Sequence, residues 1–217
     1  MQNELYKRII SSIILLPLSI FIIVQGSILL NLFLLVCFFI ALYEWNMMSR
    51  NFFLKLLGIF FLVYSFYSVH QIRNIFNYDY YYILFVVGIC IATDIGGFIF
   101  GKLLKGPKIT KVSPKKTYAG MIGGYLFTLI FVFFFIKAIE IIIPIISEDN
   151  LFIFALILST ISQIGDITIS FFKRISNIKD TGKIIPGHGG VLDRIDGMIF
   201  AFPTAHIILF FNFFELF

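Results

Sequence analysis

The sequence predicts an all-α, polytopic transmembrane helical bundle of about seven spans with a cytoplasmic N-terminus. Three observations carry the prediction. Hydrophobic residues make up 59% of the chain and charged residues only 13%, about half the charged share of a typical soluble domain. The apolar residues gather in runs close to the roughly 20 residues needed to cross a bilayer. The cations gather on alternate connections between those runs. A mean hydropathy of +0.98 is more apolar surface than a soluble core absorbs.

Taken in order, the runs cover 9–24, 27–44, 53–70, 80–101, 119–137, 151–172 and 197–215. The first follows Lys7 and Arg8, as a signal peptide would, but it lacks a small-residue cleavage site and further spans follow. It therefore reads as an uncleaved helix. The first two runs meet at Gln25 and Gly26 and form a hairpin. The apolar stretch 138–146, interrupted around Lys137, Glu140 and Pro144, either extends the fifth span or lies at the interface. With no repeat and no low-complexity linker, 1–217 reads as one transmembrane domain. Its N-terminal spans cover 9–70, and its chemistry-bearing part covers about 80–215.

Of the 17 lysines and arginines, only Arg73 and Lys137 fall on the side opposite the N-terminus. The positive-inside bias then places the N-terminus in the cytoplasm and the C-terminus outside. A basic cytoplasmic face attracts anionic headgroups and polyphosphates. Nucleic acid is not an expected partner. Cys37 and Cys90 sit in apolar runs and read as small buried hydrophobes. Trp45 and the tyrosines Tyr78, Tyr80, Tyr81 and Tyr82 read as interfacial belt residues. Glu44, beside Trp45 at a helix end, reads as surface-facing.

Two spans carry carboxylates, Asp94 and Asp166. An ionisable group in a span is costly and needs a partner or a purpose. Both either bond neighbouring helices or serve a site. In the sixth span Ser159, Gln163, Asp166, Ser170 and Lys173 recur at three- and four-residue steps, so one polar stripe runs toward the cytoplasmic end. In the fourth, Asp94, Gly97, Gly101 and Lys105 form a similar line, where glycines let a backbone or a ligand approach closely.

The densest polar cluster follows the sixth span. It comprises Ser170, Lys173, Arg174, Lys179, Asp180, the Gly187-His188-Gly189-Gly190 turn, Asp193, Arg194 and Asp196. Asp193 and Asp196 lie three apart, and with Asp166 they form a candidate Mg²⁺ set, since Mg²⁺ takes a few carboxylates, waters and phosphate oxygens. The nearby cations suit phosphate charge, and the glycine turn offers backbone N–H groups to a phosphate. A second basic loop carries Lys108, Lys111, Ser113, Pro114, Lys115, Lys116 and Thr117.

On these residues the sequence resembles the bacterial phosphatidate cytidylyltransferases, the CDP-diacylglycerol synthases. The matching pattern runs Ser170, Phe172-Lys173-Arg174, Lys179-Asp180, Gly182, Ile185-Pro186, His188-Gly189-Gly190-Val191 and Asp193-Arg194-Ile195-Asp196. Gly165-Asp166, the Asp94 region and Ser113-Pro114-Lys115-Lys116-Thr117 also look like the family's, so the resemblance covers about 90–205. It departs at Ala119, where the family commonly has Glu. The chain is also shorter than many members and is expected to lack one or two of their N-terminal spans.

The resemblance implies that CTP and phosphatidate condense to CDP-diacylglycerol and pyrophosphate, with Mg²⁺ and room for a second cation. It implies a multi-pass protein of the bacterial inner membrane, in contact with membrane lipids, with a homodimer as the suggested assembly. The attacking phosphate monoester is already ionised near neutral pH, so positioning and charge neutralisation suffice. Asp166, Asp193 and Asp196 are expected to hold the metal. Lys173, Arg174, Lys179 and Arg194 are expected to steady the phosphates, with Asp180 and His188 beside them. Ser113, Lys115, Lys116, Thr117, Ser170, Gly187, Gly189 and Gly190 are expected to contact substrate. The polar stripe of the sixth span is expected to face a lateral opening for the two-tailed lipid. Rival readings are another membrane CTP-dependent lipid phosphotransferase, an ion-coupled transporter and a non-catalytic scaffold. A transporter predicts polar residues from one side of the membrane to the other, whereas here they stop in the cytoplasmic half.

Overall fold

The computed structural model describes all residues except 1, 50, 76–79, 111–112, 114–115, 140–147 and 212–217, with the backbone alone described at 2–5, 7–10, 75, 139 and 148–149. Each apolar run forms a helix. They are α1 (Gln2–Gln25), α2 (Ser27–Met48), α3 (Phe52–Ile75), α4 (Tyr81–Leu103), α5 (Tyr118–Ile139), α6 (Glu148–Ile175) and α8 (Met198–Phe210). A single turn, α7 (Leu192–Ile195), precedes α8. Among the described residues there is no strand, only two isolated bridges in loops. Five helices, α2 to α6, are long and apolar enough to cross a membrane. The apolar stretches of α1 and α8 are shorter, Ser11–Gln25 and Met198–Phe210. The stretch 138–146 and the end of the seventh expected span fall largely outside the described residues.

The α4–α5 hairpin is held by glycines. A Cβ at Gly96, Gly120 or Gly124 would press on the partner backbone at Gly123, Gly97 or Thr93 respectively. Small residues let helix backbones close in where lipid supplies no hydrophobic drive between helices. The α4 glycines thus admit α5. Below them Thr93 Oγ1 lies 2.9 Å from both Thr128 Oγ1 and Ser159 Oγ, tying α4, α5 and α6 inside the bundle. The main apolar core surrounds Phe85, Ile89, Phe154 and Leu158.

A smaller core joins α2, α3, α6, α7 and α8 around Trp45, Met48, Leu62 and Leu192. Trp45 is therefore no belt residue. Its ring is buried edge-on to Phe172, and its Nε1 donates to the Leu54 carbonyl at 3.2 Å. Tyr82 is buried as well. The α2–α3 turn, the α4–α5 loop, the α6–α8 connection and the Ser11 level of α1 meet at one end of the bundle. Ser176 bonds the Met48 carbonyl, Lys116 reaches Asp166, and Ser11 reaches Pro186. At the opposite end, buried Arg73 on α3 donates to the Ile23 carbonyl in the last turn of α1, against Gly26.

Candidate active site

The α6–α8 connection folds as a tight scaffold. Pro186 and Gly187 occupy the centre of a β-turn closed by His188 N–H to the Ile185 carbonyl at 3.0 Å, with Gly187 at φ 77°. This is the type II pattern, with Pro second and Gly in the left-handed region third. Gly189 N–H bonds back to the Ile185 carbonyl, and Gly190 N–H donates to Asp193 Oδ2 at 3.0 Å. The N–H groups of His188, Gly189 and Gly190 are thus already engaged. The phosphate-cradling expected of this turn lacks donors at those three positions.

Two carboxylates hold the scaffold. Asp193 takes Lys173 Nζ at 2.8 Å on one oxygen, and Thr181 N–H and Gly190 N–H on the other. Burial works against its charge, but the Lys173 ammonium and the two N–H donors outweigh it and hold Asp193 below the ordinary carboxylate value. The second anchor is Glu44, only 1% exposed. It accepts Val191 N–H at 3.0 Å, Leu192 N–H at 2.8 Å and the Thr181 hydroxyl at 3.0 Å. A Cβ on Gly182 or Gly190 would run into the Glu44 carboxylate. The expectation of a surface-facing Glu44 is therefore corrected: α2 aims it at the N–H groups that open α7, where a carboxylate is well placed.

A different group of acids gathers without such anchoring. Asp94 from α4, Asp166 from α6 and Asp196 between α7 and α8 lie close enough for their charges to act on one another. Burial, then the Asp166 charge, push the Asp196 carboxyl well above the ordinary range. That carboxyl is enclosed although the residue keeps partial exposure. Lys116 answers this crowding. The α4–α5 loop pairs Ile109 N–H with the Lys116 carbonyl, and Tyr118 N–H with the Pro107 carbonyl. It thereby sends Lys116 Nζ to Asp166 Oδ2 at 2.5 Å and to the Gln163 carbonyl at 3.3 Å. Arg194 is exposed, bonded to the His188 carbonyl at 3.0 Å, and its charge acts on Asp94.

Asp166 and Asp196 are therefore brought together, and Asp193 is not part of the same set. Among the described residues no group of three His, Cys, Asp or Glu could hold a metal ion as it stands. Of the expected metal triad, Asp193 has its oxygens engaged by Lys173 and the loop backbone in this structure. His188 turns its ring to α1, with Nδ1 2.7 Å from Ser11 Oγ and Nε2 3.3 Å from Ser12 Oγ. Ser170 lies 3.4 Å from Asp166 Oδ1. Thr117 is buried and its hydroxyl caps α5 by accepting Gly120 N–H. Ser113 lies in the same loop, its N–H on Thr110. Arg174, Lys179 and Asp180 are exposed at the rim. Lys115 lies outside the described residues.

Fold and site together define a polytopic membrane protein with its charged chemistry gathered at one end, where α4, α6 and the α6–α8 connection converge. The sequence matches the Cytidylyltransferase family over residues 46–212. A Rickettsia bellii protein named phosphatidate cytidylyltransferase is 35% identical, across 97% of this chain and 92% of its own length. Proteins of that name from Staphylococcus saprophyticus and Bacillus subtilis are 39% and 36% identical over 59% and 64% of this chain. The matched stretch spans 49% and 51% of those two relatives. The chain belongs to the cytidylyltransferase family, among relatives that carry the phosphatidate cytidylyltransferase name.

Proposed function

We propose that the chain transfers the cytidylyl group of CTP to phosphatidate, giving CDP-diacylglycerol and pyrophosphate, at the cytoplasmic side of a bacterial inner membrane. The observation that carries this reading is the crowding of Asp94, Asp166 and Asp196 beside Lys116 and Arg194, at the end of the bundle that bears the family pattern. A phosphoanhydride transfer needs little covalent help from a protein. It needs several negative groups held in line and their charge balanced.

Asp166 and Asp196 fit a divalent cation. They are two neighbouring carboxylates, with Lys116 in direct contact with one of them, and Mg²⁺ is commonly held by one or two carboxylates plus substrate phosphates. When bound there, Mg²⁺ would neutralise charge on the nucleotide phosphates. Asp193 instead fixes Lys173 and the loop. Arg194 and Lys116 face the reacting phosphates, and Arg174 and Lys179 draw the triphosphate to the rim. Proton transfer is not required, because the lipid phosphate attacks as its anion and pyrophosphate leaves.

The test is purified protein in detergent with labelled CTP, phosphatidate and Mg²⁺. A CTP-dependent lipid product is expected. Its absence with Mg²⁺, Mn²⁺ and Co²⁺ would overturn the reading.

A further inference from the structure

Arg194 also lines an apolar cavity of about 690 Å³, whose lining includes none of Asp94, Asp166 and Asp196. Its walls come from α1, α2, α3, α4 and α8, with Leu15, Leu34, Val87 and Phe202 among them, and no described residue of α5 or α6 lines it. Its site-facing end is different. There Ser12, His188 and Arg194 close the apolar body, Arg194 being the one Lys or Arg in the lining among the described residues. The chamber is oily along its length and basic at one end.

Building on the phosphatidate reading above, we propose that this cavity houses the acyl part of the lipid substrate. Its phosphate monoester stands at Arg194, and the nucleotide lies on the carboxylate side of the same guanidinium. Arg194 both lines the chamber and acts electrostatically on the acidic cluster. The expected lateral opening along the polar face of α6 is thereby replaced by a chamber on the α1–α2 side.

The physics sets what the chamber does. A tail leaving lipid for an apolar cavity gains no hydrophobic energy, since bilayer and protein interior are equally apolar. What the chamber supplies is position, fixing how far the phosphate reaches toward the nucleotide. The volume lies within the roughly 300–1,000 Å³ of sites that enclose small molecules. α1 forms the outer wall. Ser12, Leu15, Leu16 and Leu18 turn toward the chamber, and α1 is fastened at the site end by Ser11 and Ser12 on Pro186 and His188. A two-tailed lipid reaches such a chamber within the bilayer plane, without dragging its tails through polar loops.

The experiment uses the full chain in nanodiscs without CTP. The probe is phosphatidate bearing a diazirine midway along one acyl chain, and cross-linked residues are mapped by mass spectrometry. Cross-links to cavity-lining residues of α1 and α2 are expected, competed by unlabelled phosphatidate and not by phosphatidylcholine. Leu34→Trp, which fills the chamber, should lower their yield about tenfold, and Val87→Trp provides a second filling from another helix. Cross-links confined to α5 and α6, or equal competition by phosphatidylcholine, would overturn the proposal. Turnover is read separately. Product formation with cross-links elsewhere sinks the chamber alone, whereas cavity cross-links without any CDP-lipid product sink the catalytic reading alone.

Discussion

Two sets of carboxylates share one end of this bundle and are treated in opposite ways. Glu44 and Asp193 are saturated by backbone N–H groups, a hydroxyl and Lys173. Asp94, Asp166 and Asp196 are pushed toward one another, with Lys116 the one cation in direct contact among the described residues. A buried acid whose oxygens are taken by N–H donors stabilises a fold. A crowded set of acids with a single direct cation contact leaves negative charge facing a cationic ligand. The acids at this end thus divide into those bound into the loop scaffold and those left facing one another, interleaved along the chain.

The sharpest way to break this division is Asp166→Asn. Turnover should fall by about 10³-fold, the scale of losing a main electrostatic contributor. The thermal unfolding midpoint should stay within a few degrees of the parent's, because its Lys116 contact is partly exposed. A large stability loss with turnover intact would place Asp166 among the scaffold acids. Glu44→Ala should do the reverse. Two buried N–H groups and a hydroxyl lose their acceptor, which costs about 2–4 kcal/mol, visible in the unfolding midpoint. Activity should follow the folded fraction.

Why Glu44 was illegible from sequence is a matter of distance. Its partners lie 137 to 148 residues away, and a lone acid at a helix end carries no periodicity to betray burial. The family match begins at residue 46, just beyond it. Trp45 misled for the same reason: an aromatic near a span end is most often interfacial, and only α6 brings Phe172 to its face. The helices themselves were legible because the bilayer fixes their length and composition. Each expected run lies on a helix, although α8 shows only 13 residues. The stripe on α6 was legible too, since Ser159 and Gln163 bond each other and Ser159 reaches Thr93. The division between Asp193 and Asp196 was not. The backbone stays helical through Asp196 and Gly197, yet the two acids meet different partners, because Lys173 and the loop N–H groups of Thr181 and Gly190 claim Asp193.

Gly190→Ala offers a milder probe. Its new methyl would meet Thr181 Oγ1 and both Glu44 oxygens, so a loss of about 1–3 kcal/mol in stability is expected from overpacking. Gly187→Ala should act instead through the left-handed φ at that position, by about 1 kcal/mol. The smallest effect concerns pH. Asp193 is held below its unfolded value of 3.8, so its contribution is full above that value and is lost as pH falls through the lower, folded one. The stability gap between parent and Asp193→Asn should therefore be constant from pH 7 to about 5 and narrow in stronger acid. A gap that widens there would reverse the assigned sign.

The Arg73–Ile23 contact sits at the end of the molecule farthest from the chemistry, and it bears on how the first hairpin is held. The turn between α1 and α2 closes on Gly26, and the carbonyl in the last turn of α1 takes its donor from α3. A single guanidinium thus ties the α1–α2 hairpin to α3 at the end of the bundle away from the acidic cluster.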